Sequence, residues 1–396
     1  MRICHLDPLF HPYYGGSEKV VYEVSKRLVA NQGHDVTVLT SRLPNTVPSE
    51  TLDGIKIVRV SPSIYLEKMP ALFPPPYTIV PFFNCAFVKQ DADIFHMHNR
   101  FWYFYGTMLT LAMRKSLQGK KFAITLHNAL PKGVSFGVDK GALAYDLLVG
   151  RRWMELANVI IAVSEYTRDV TVPKSLQHKV HVAHNGVDVT RFDVRKRGKK
   201  GEDGAGALVR KKLGIDADAF VVLENARMVE QKGYPYLLEA FAMLKKKRKN
   251  AELVCIGKGP LKQQLLDLAA KLGISKSVHF VTGIPEDELP LYYRAADLFA
   301  HSAVWEPCAV VHPEALASGL PIVAARIGGN PEQIGEDCGL LVEPRDAKAM
   351  FEAIDGLYAD ENERRRMGAN ARERAVKKFA WEVVAGKWDK AYESVA

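Results

Sequence analysis

Cysteine is scarce in this chain: five in 396 residues, Cys4, Cys85, Cys255, Cys308 and Cys338, scattered and never spaced as Cys-x-x-Cys. That pattern excludes a disulfide framework and the usual spacing of a structural zinc site, and it points to a reducing cytoplasm. Long uncharged runs are scarce too. The one of about bilayer length, Met69 to Val88, contains Pro70, Pro74, Pro75, Pro76 and Pro81, which would break a lipid-exposed helix. It reads as an apolar loop: packed in the ordinary way, mobile beside a cleft, or touching lipid without crossing it. The N-terminus, MRICHLDPLF, has no extended apolar core after Arg2, so no signal peptide is expected. Neither an RNA-recognition order of aromatic and basic residues nor a C₂H₂ spacing occurs, so nucleic acid is not an expected partner.

What is present is the composition of a soluble globular protein, 47% hydrophobic and 25% charged, long enough for two domains. The net charge of +9 suits a polyanionic partner, whether a nucleotide diphosphate or an anionic membrane surface. Much of the excess lies in Lys245 to Lys249 and Arg195 to Lys200, runs that read equally as solvated faces.

Hydrophobic periodicity alternates strand and helix twice along the chain. Arg2 to Asp7 reads as a strand, Ser17 to Asn31 as a helix and Val36 to Thr40 as a second strand, a βαβ start that implies a parallel sheet with right-handed crossovers. Further strands are predicted at 55–60, 94–98, 122–126, 159–163 and 180–182. Residues 191–218, rich in glycine and charge, read as a linker between an N-terminal domain, 1–190, and a C-terminal domain, 219–377. The second series has strands at 220–224, 252–256, 278–281, 297–301 and 321–324, with helices between them and after 347. The expected fold class is α/β: two Rossmann-like, doubly wound domains facing a deep cleft, with ligands at the carboxyl ends of the strands.

Candidate chemistry sits at those ends. Gly15 and Gly16, in Gly-Gly-Ser-Glu, open the first helix, where backbone N–H groups can approach an anion; the spacing is not G-x-G-x-x-G, and a plain turn is the alternative. Arg227 and Lys232 share one strand-to-helix loop, and two converging cations would neutralise a diphosphate leaving group without a metal; two solvated cations are the alternative. Gly257, in Gly-Lys-Gly-Pro, and the pair Gly328-Gly329 repeat glycine at other strand ends, as ordinary tight turns also do.

Glu306 and Glu314 stand eight apart in WEPCAVVHPEALASGLP. On one helix they would lie roughly 80° apart, so Glu306 is placed in a loop and Glu314 in the first helical turn beside Pro313, both able to meet one ligand. Glu314 there suits the helix dipole and can accept hydrogen bonds from sugar hydroxyls. An acid/base pair for glycoside hydrolysis is the competing reading. His127 ends a strand within TLHNA, where an imidazole can meet a reacting hydroxyl or phosphate. His98 and Asn99, with Asn128 beside His127, are the candidate acceptor contacts. His96 and His98 share a strand face, but no third ligand is evident and no metal site is assigned. The stretches Asp91/Asp93 and Asp216/Asp218 read as turns.

The succession GGSE, TLHN, AVSEYTR (162–168), HNGVD (184–188), ARMVEQKG, GKGP, EPCAVVHPEALASGLPIVA and GGNPE (328–332) resembles glycosyltransferase family 4 over essentially the whole chain. The resemblance implies a retaining, metal-independent GT-B enzyme using a UDP- or GDP-sugar. It puts the donor site in the C-terminal domain and the acceptor site mostly in the N-terminal one, with the last helix, about 378–396, packed back on the latter. It implies that Arg227 and Lys232 bind the diphosphate, Glu314 the ribose, and Glu306 with the amides around Cys308, Ala309 and Val310 the sugar ring. His127 would lie near the transferred sugar, and Gly15 and Gly16 would border the phosphates or the acceptor. Two departures stand out: Cys308-Ala309 where the family usually has Phe-Gly, and Ala226-Arg227 where it usually has Gly-Arg. They keep a non-catalytic sugar-nucleotide-binding relative and a GT-B epimerase open as alternatives. The apolar run 69–88, the aromatic run Phe101 to Tyr105 and the basic charge together suggest a lipid-linked or membrane-proximal hydroxyl acceptor on a cell-envelope glycan, and peripheral contact with the cytoplasmic face of the membrane.

Overall fold

The computed structural model describes residues 1–13, 15–61, 64–66, 77–79, 90–98, 119–130, 140–141, 143–144, 146–193 and 205–396. Asn99, Phe101 to Tyr105 and, apart from 77–79, the apolar run 69–88 lie outside them. The chain divides into two compact units, Met1–His184 with Trp381–Ala396, and Asn185–Ala380.

The first unit is built on an eight-stranded sheet. Its strands are β1 (Arg2–Leu6), β2 (Asp35–Ser41), β3 (Ser49–Leu52), β4 (Ile55–Val60), β7 (Ile94–His98), β8 (Lys121–Leu126), β9 (Val159–Ala162) and β10 (Val180–Val182), in the order β10-β9-β8-β7-β1-β2-β4-β3. All pairings are parallel except β3 with β4. A separate antiparallel pair joins β5 (Ile64–Leu66) to β6 (Tyr77–Ile79). Apolar runs such as Val-Ile-Ile-Ala in β9 are buried throughout, as a parallel sheet covered on both faces requires. The first helix, Gly16–Gln32, buries Val20, Val21, Val24 and Leu28 at helical spacing and ends on Gly33 in the left-handed conformation (φ 67°). The C-terminal helix, Trp381–Glu393, belongs to this unit; its Trp381, Val384, Ala385, Trp388 and Tyr392 enter the same core as the first helix.

The second unit is a six-stranded parallel sheet: β11 (Phe220–Asn225), β12 (Ala251–Ile256), β13 (Val278–Val281), β14 (Leu298–His301), β15 (Ile322–Ala325) and β16 (Gly339–Val342), in the order β13-β12-β11-β14-β15-β16. The order reverses at β11/β14, which places the switch point, where doubly wound sheets hold ligands, between those two strands. Strand β16 was missed in the sequence: it opens on Gly339, a residue that weakens a strand reading.

The expected linker needs correction. Within 191–218, residues 205–213 form a helix of the second unit, and Arg210, inside the expected linker, is buried. Its guanidinium donates to the carbonyls of Ala219 (2.7 Å) and Ala295 (3.0 Å) and pairs with Asp297 at 2.9 Å. Asp193, also inside the expected linker, pairs with Arg372 at 3.0 Å. Arg210 and Asp193 are thus buried, hydrogen-bonded anchors, while Lys211, Lys212, Asp216 and Asp218 are exposed.

Candidate active site

In the second unit the carboxyl ends of β11 and β14 are neighbours, Leu223 pairing with Phe299, so Glu224 and His301 stand at adjacent strand ends. His301 Nδ1 lies 2.9 Å from Glu224 Oε1, and its Nε2 lies 3.3 Å from Glu306 Oε2. The same Glu306 oxygen accepts an ion pair from Lys232. These four groups form one charge chain, carboxylate, imidazole, carboxylate and ammonium, and the first three are at most 6% exposed. Burial opposes the charge on His301, but Glu224 and Glu306 outweigh it and raise the imidazole to about 9. Burial likewise pushes the Glu306 carboxyl up, and Lys232 and His301 outweigh that, holding it below the usual carboxylate range. His312, edge-on to His301 at 5.0 Å, is pushed down to about 3 by burial and then by its charged neighbour.

Glu306 lies in the loop after β14, and Glu314 lies in the first turns of the helix Val311–Ala317, as expected. Glu314 is 3% exposed and accepts a hydrogen bond from Tyr293 Oη at 2.9 Å; Asn225 donates to that same hydroxyl at 3.1 Å. Two glycines fix the Glu306 loop. Gly328 has φ 51°, and a Cβ there would meet the Glu306 carbonyl oxygen at 1.9 Å; Gly329 N–H donates to the same oxygen at 3.1 Å. The pair read as another anion-binding turn therefore cradles the Glu306 backbone. Gly257 (φ 144°) is held in the same way against the Ala226 carbonyl, which a Cβ would meet at 2.0 Å.

Arg227, on the loop after β11, is exposed and makes no ion pair with a described residue, whereas Lys232 is committed to Glu306. The expected use of the amides around Cys308 to Val310 needs correction at Ala309. Its N–H donates to Gln333 Oε1 (3.0 Å) and its carbonyl accepts from Gln333 Nε2 (2.8 Å), so neither backbone group is open. Cys308 is buried, its carbonyl accepts from Asn185 at 2.9 Å, and burial pushes its thiol far up, which removes it as a nucleophile. Val310 caps the helix that carries Glu314.

In the first unit Gly15 caps the first helix and Gly16 begins it. The nearest polar atom to a Cβ at Gly15 would be Glu18 Oε2, at 2.1 Å. Burial, and then Glu18, raises the carboxyl of buried Asp7 well above its ordinary range. Two acids thus flank the turn, an unfavourable setting for a phosphate unless they are protonated. His127 follows β8, half-buried, with exposed Asn128 beside it. His98, expected to touch the acceptor, does not fit that role: it is 2% exposed and both ring nitrogens are taken, Nε2 by His5 Nδ1 at 2.8 Å and Nδ1 by His127 Nε2 at 3.1 Å. The third histidine beside His96 and His98, not evident from spacing, is His5. Asp91 and Asp93 both engage Arg2, whose backbone N–H (2.8 Å) and guanidinium (2.6 Å) donate to the Asp93 carboxylate.

Residues 14–191 match the family model described as Glycosyltransferase Family 4, and residues 207–374 match that described as Glycosyl transferases group 1. The chain is a GT-B glycosyltransferase of family 4. This glycosyltransferase is 26% identical over 392 residues to spore coat protein SA of Bacillus subtilis, covering 96% of this chain and 95% of that one. It is 27% identical over 394 residues to a GDP-mannose-dependent alpha-(1-6)-phosphatidylinositol monomannoside mannosyltransferase of Mycobacterium tuberculosis, with 96% and 94% covered. Among solved structures, the sucrose-phosphate synthase of Thermosynechococcus elongatus superposes with a TM-score of 0.78 at 22% identity over 99% of this chain and 98% of that one, which bears on the fold.

Sequence reasoning missed Glu224, Tyr293, His301 and Gln333 in this enzyme. For Glu224 and His301 a signal existed: each follows an unbroken apolar run, Phe220 to Leu223 and Leu298 to Ala300, at the carboxyl end of its strand. Tyr293 and Gln333 left none, since each looks like an ordinary helix residue until the fold turns it toward Glu314 or Ala309. No helix among the described residues is long and apolar enough to cross a membrane.

Proposed function

We propose that the glycosyltransferase transfers a hexose with retention of anomeric configuration from a UDP- or GDP-sugar to a hydroxyl acceptor on a lipid-linked or cell-envelope glycan. The observation that carries this reading is the ion pair between Lys232 and Glu306 inside the buried charge chain, with Arg227 exposed on the same loop. Lys232 is a mobile cation already held beside a carboxylate. When a nucleotide sugar arrives, Lys232 exchanges Glu306 for the diphosphate and joins Arg227 there, so two cations take up the charge that develops as the C1–O bond to phosphate breaks. No metal is required for that neutralisation. Glu306 keeps its charge because His301 remains as its partner, and its freed lone pairs accept from sugar hydroxyls. Glu314, held by Tyr293, accepts from the ribose.

The acceptor hydroxyl attacks C1 on the face from which the diphosphate leaves. Its proton passes to the departing phosphate oxygen, so no side chain forms a covalent intermediate, and His127 donates to an oxygen of the transferred sugar. The lipid-linked acceptor is supported by the apolar run 69–88, the net charge of +9 and the phosphatidylinositol acceptor named for the mycobacterial relative.

The test is turnover with a panel of UDP-, GDP- and ADP-sugars, each with polyprenyl-phosphate-sugar and phosphatidylinositol-mannoside acceptors, with and without EDTA. One donor is expected to release its nucleoside diphosphate in both conditions, and proton NMR is expected to show the donor's anomeric configuration in the product. Inversion, or loss of turnover in EDTA, would overturn the retaining or metal-independent part. Interconversion of the donor sugar without acceptor would identify an epimerase.

A further inference from the structure

The first unit contains a group of four imidazoles, of which the reaction above uses only His127. The parallel register of β1 and β7 pairs His5 with His96, and the two-residue period of β7 brings His98 to the same face. His127 follows the adjacent strand β8. His5 and His96 are 0% exposed and His98 is 2% exposed, with Trp388 of the C-terminal helix stacked on His98 at 5.6 Å and 16°.

Three of these rings offer nitrogens within 4.8 Å of one another, the arrangement of a metal site. The hydrogen bonds argue otherwise. His96 Nδ1 lies 2.6 Å from Tyr392 Oη and its Nε2 lies 2.7 Å from Thr125 Oγ1, so both of its nitrogens are occupied by hydroxyls. His98 spends both nitrogens on other imidazoles. Among the described residues no carboxylate bonds to any of the four rings, so a divalent cation would be buried without compensating charge.

The contacts instead form a chain: His5 Nδ1 to His98 Nε2 at 2.8 Å, then His98 Nδ1 to His127 Nε2 at 3.1 Å. Burial pushes His5 down to about 3 and His127 down to about 4, and it pushes His98 well below its ordinary value, so all three rings are neutral at pH 7. A neutral imidazole has one N–H, so the three protons must shift together. In one arrangement every ring carries its proton on Nδ1, and the nitrogen left unpartnered is a bare acceptor, His5 Nε2. In the other every proton is on Nε2, and His5 buries an unpartnered N–H. Among the described residues the buried His5 Nε2 atom has no hydrogen-bond partner, and an orphaned buried donor is the rarer outcome in proteins.

We propose that His5 and His98 are positioning residues that fix the proton of His127 on Nδ1, so that the half-buried end of the chain presents a hydrogen-bond donor to an oxygen of the sugar or acceptor. The donor's use rests on the reading of His127 given above; the arrangement of protons does not. The device lets a buried strand end set the polarity of a reactive-site nitrogen, and it explains why three neutral rings share a core with no anion beside them. His96, satisfied by two hydroxyls that can each donate or accept, is indifferent to it.

The full chain, labelled with ¹⁵N-histidine and free of ligand at pH 7, is read by long-range proton–nitrogen correlation. His5, His98 and His127 are expected each to show a single Nδ1–H tautomer. In His5→Phe, which preserves a ring in the pocket, His127 is expected to become a mixture of tautomers. His98→Asn keeps a donor near the Nδ1 position and is expected to hold the His127 proton in place, while His98→Leu is not. A His127 proton on Nε2 in the unaltered protein overturns the proposal whether or not any variant folds. So does an unchanged His127 tautomer in a folded His5→Phe, or one bound zinc per chain in the purified protein. Kinetics separate the two readings: His98→Leu is expected to lower kcat about tenfold or more with little change in the donor KM. A verified tautomer chain with unchanged kcat would leave the chain standing and remove His127 from the reaction.

Discussion

Replacing His301 with glutamine isolates the buried charge chain of the second unit, because glutamine can keep a hydrogen bond to Glu224 but carries no charge. In the folded protein His301 is raised to about 9 from an ordinary 6.5, with burial opposing the charge and Glu224 and Glu306 overcoming it. A raised pKa means that the folded state holds the proton more tightly than the unfolded state. Its contribution to stability is therefore fully present below about pH 6.5 and is lost as pH rises through about 9. A shift of that size corresponds to about 3 kcal/mol, at roughly 1.4 kcal/mol per pH unit across the window. The group is completely buried, so solvent screening removes little of this. Urea unfolding of the unaltered enzyme and His301→Gln at half-unit steps from pH 6 to pH 10 measures it, and taking the difference at each pH cancels titrations common to both. The advantage of the unaltered enzyme is expected to fall by about 3 kcal/mol between pH 6.5 and pH 9.5. A difference that stays flat would show that His301 is neutral and that the charge chain does not exist.

Two further changes probe the same site from other sides. Lys232→Ala removes the one cation that pairs with Glu306 and that, in the proposed mechanism, moves to the donor diphosphate; kcat/KM is expected to fall at least about tenfold in the donor assay, while circular dichroism stays native because His301 still compensates the carboxylate. Unchanged kinetics would take Lys232 out of the site. Gly328→Ala adds a Cβ where the Glu306 carbonyl lies 1.9 Å away, at a φ of 51° that L residues rarely adopt, so the Glu306 loop must move. Activity is expected to fall about a hundredfold, the scale on which a displacement near 1 Å acts in an active site, and a variant with unaltered kcat/KM would show that the Glu306 position does not matter.

The alternating strand and helix pattern was legible because most of the parallel strands are short, largely apolar runs between helical patterns, and the boundaries found for 55–60, 94–98, 180–182 and 278–281 agree with the structure to the residue. What escaped were elements defined by partners distant in sequence. Strand β3 is short and half-exposed, and it is specified by its antiparallel register with β4 rather than by its own composition. Arg210 looked like one more charge in a polar stretch because nothing local reveals that Ala219, Ala295 and Asp297 converge on it. The same holds in the site. The Glu306 and Glu314 spacing suggested two carboxylates able to meet one ligand, but His301, which with Lys232 sets the charge of Glu306, Glu224, which pairs with His301, and Tyr293, which holds Glu314, come from other strands and helices.

The Cys308-Ala309 departure can now be placed in the same terms. An alanine where the family usually has glycine would matter most if ligand oxygens approached that backbone directly. Here both backbone groups of Ala309 are instead closed by Gln333, which also lies 3.2 Å from His312 Nδ1, and the Cys308 carbonyl is closed by Asn185. The added methyl group therefore sits on a peptide already held from behind. On the proposed reading, the sugar recognition expected of this segment falls to its side-chain neighbour Glu306, whose charge is set by Lys232 and His301 and whose backbone is set by Gly328 and Gly329.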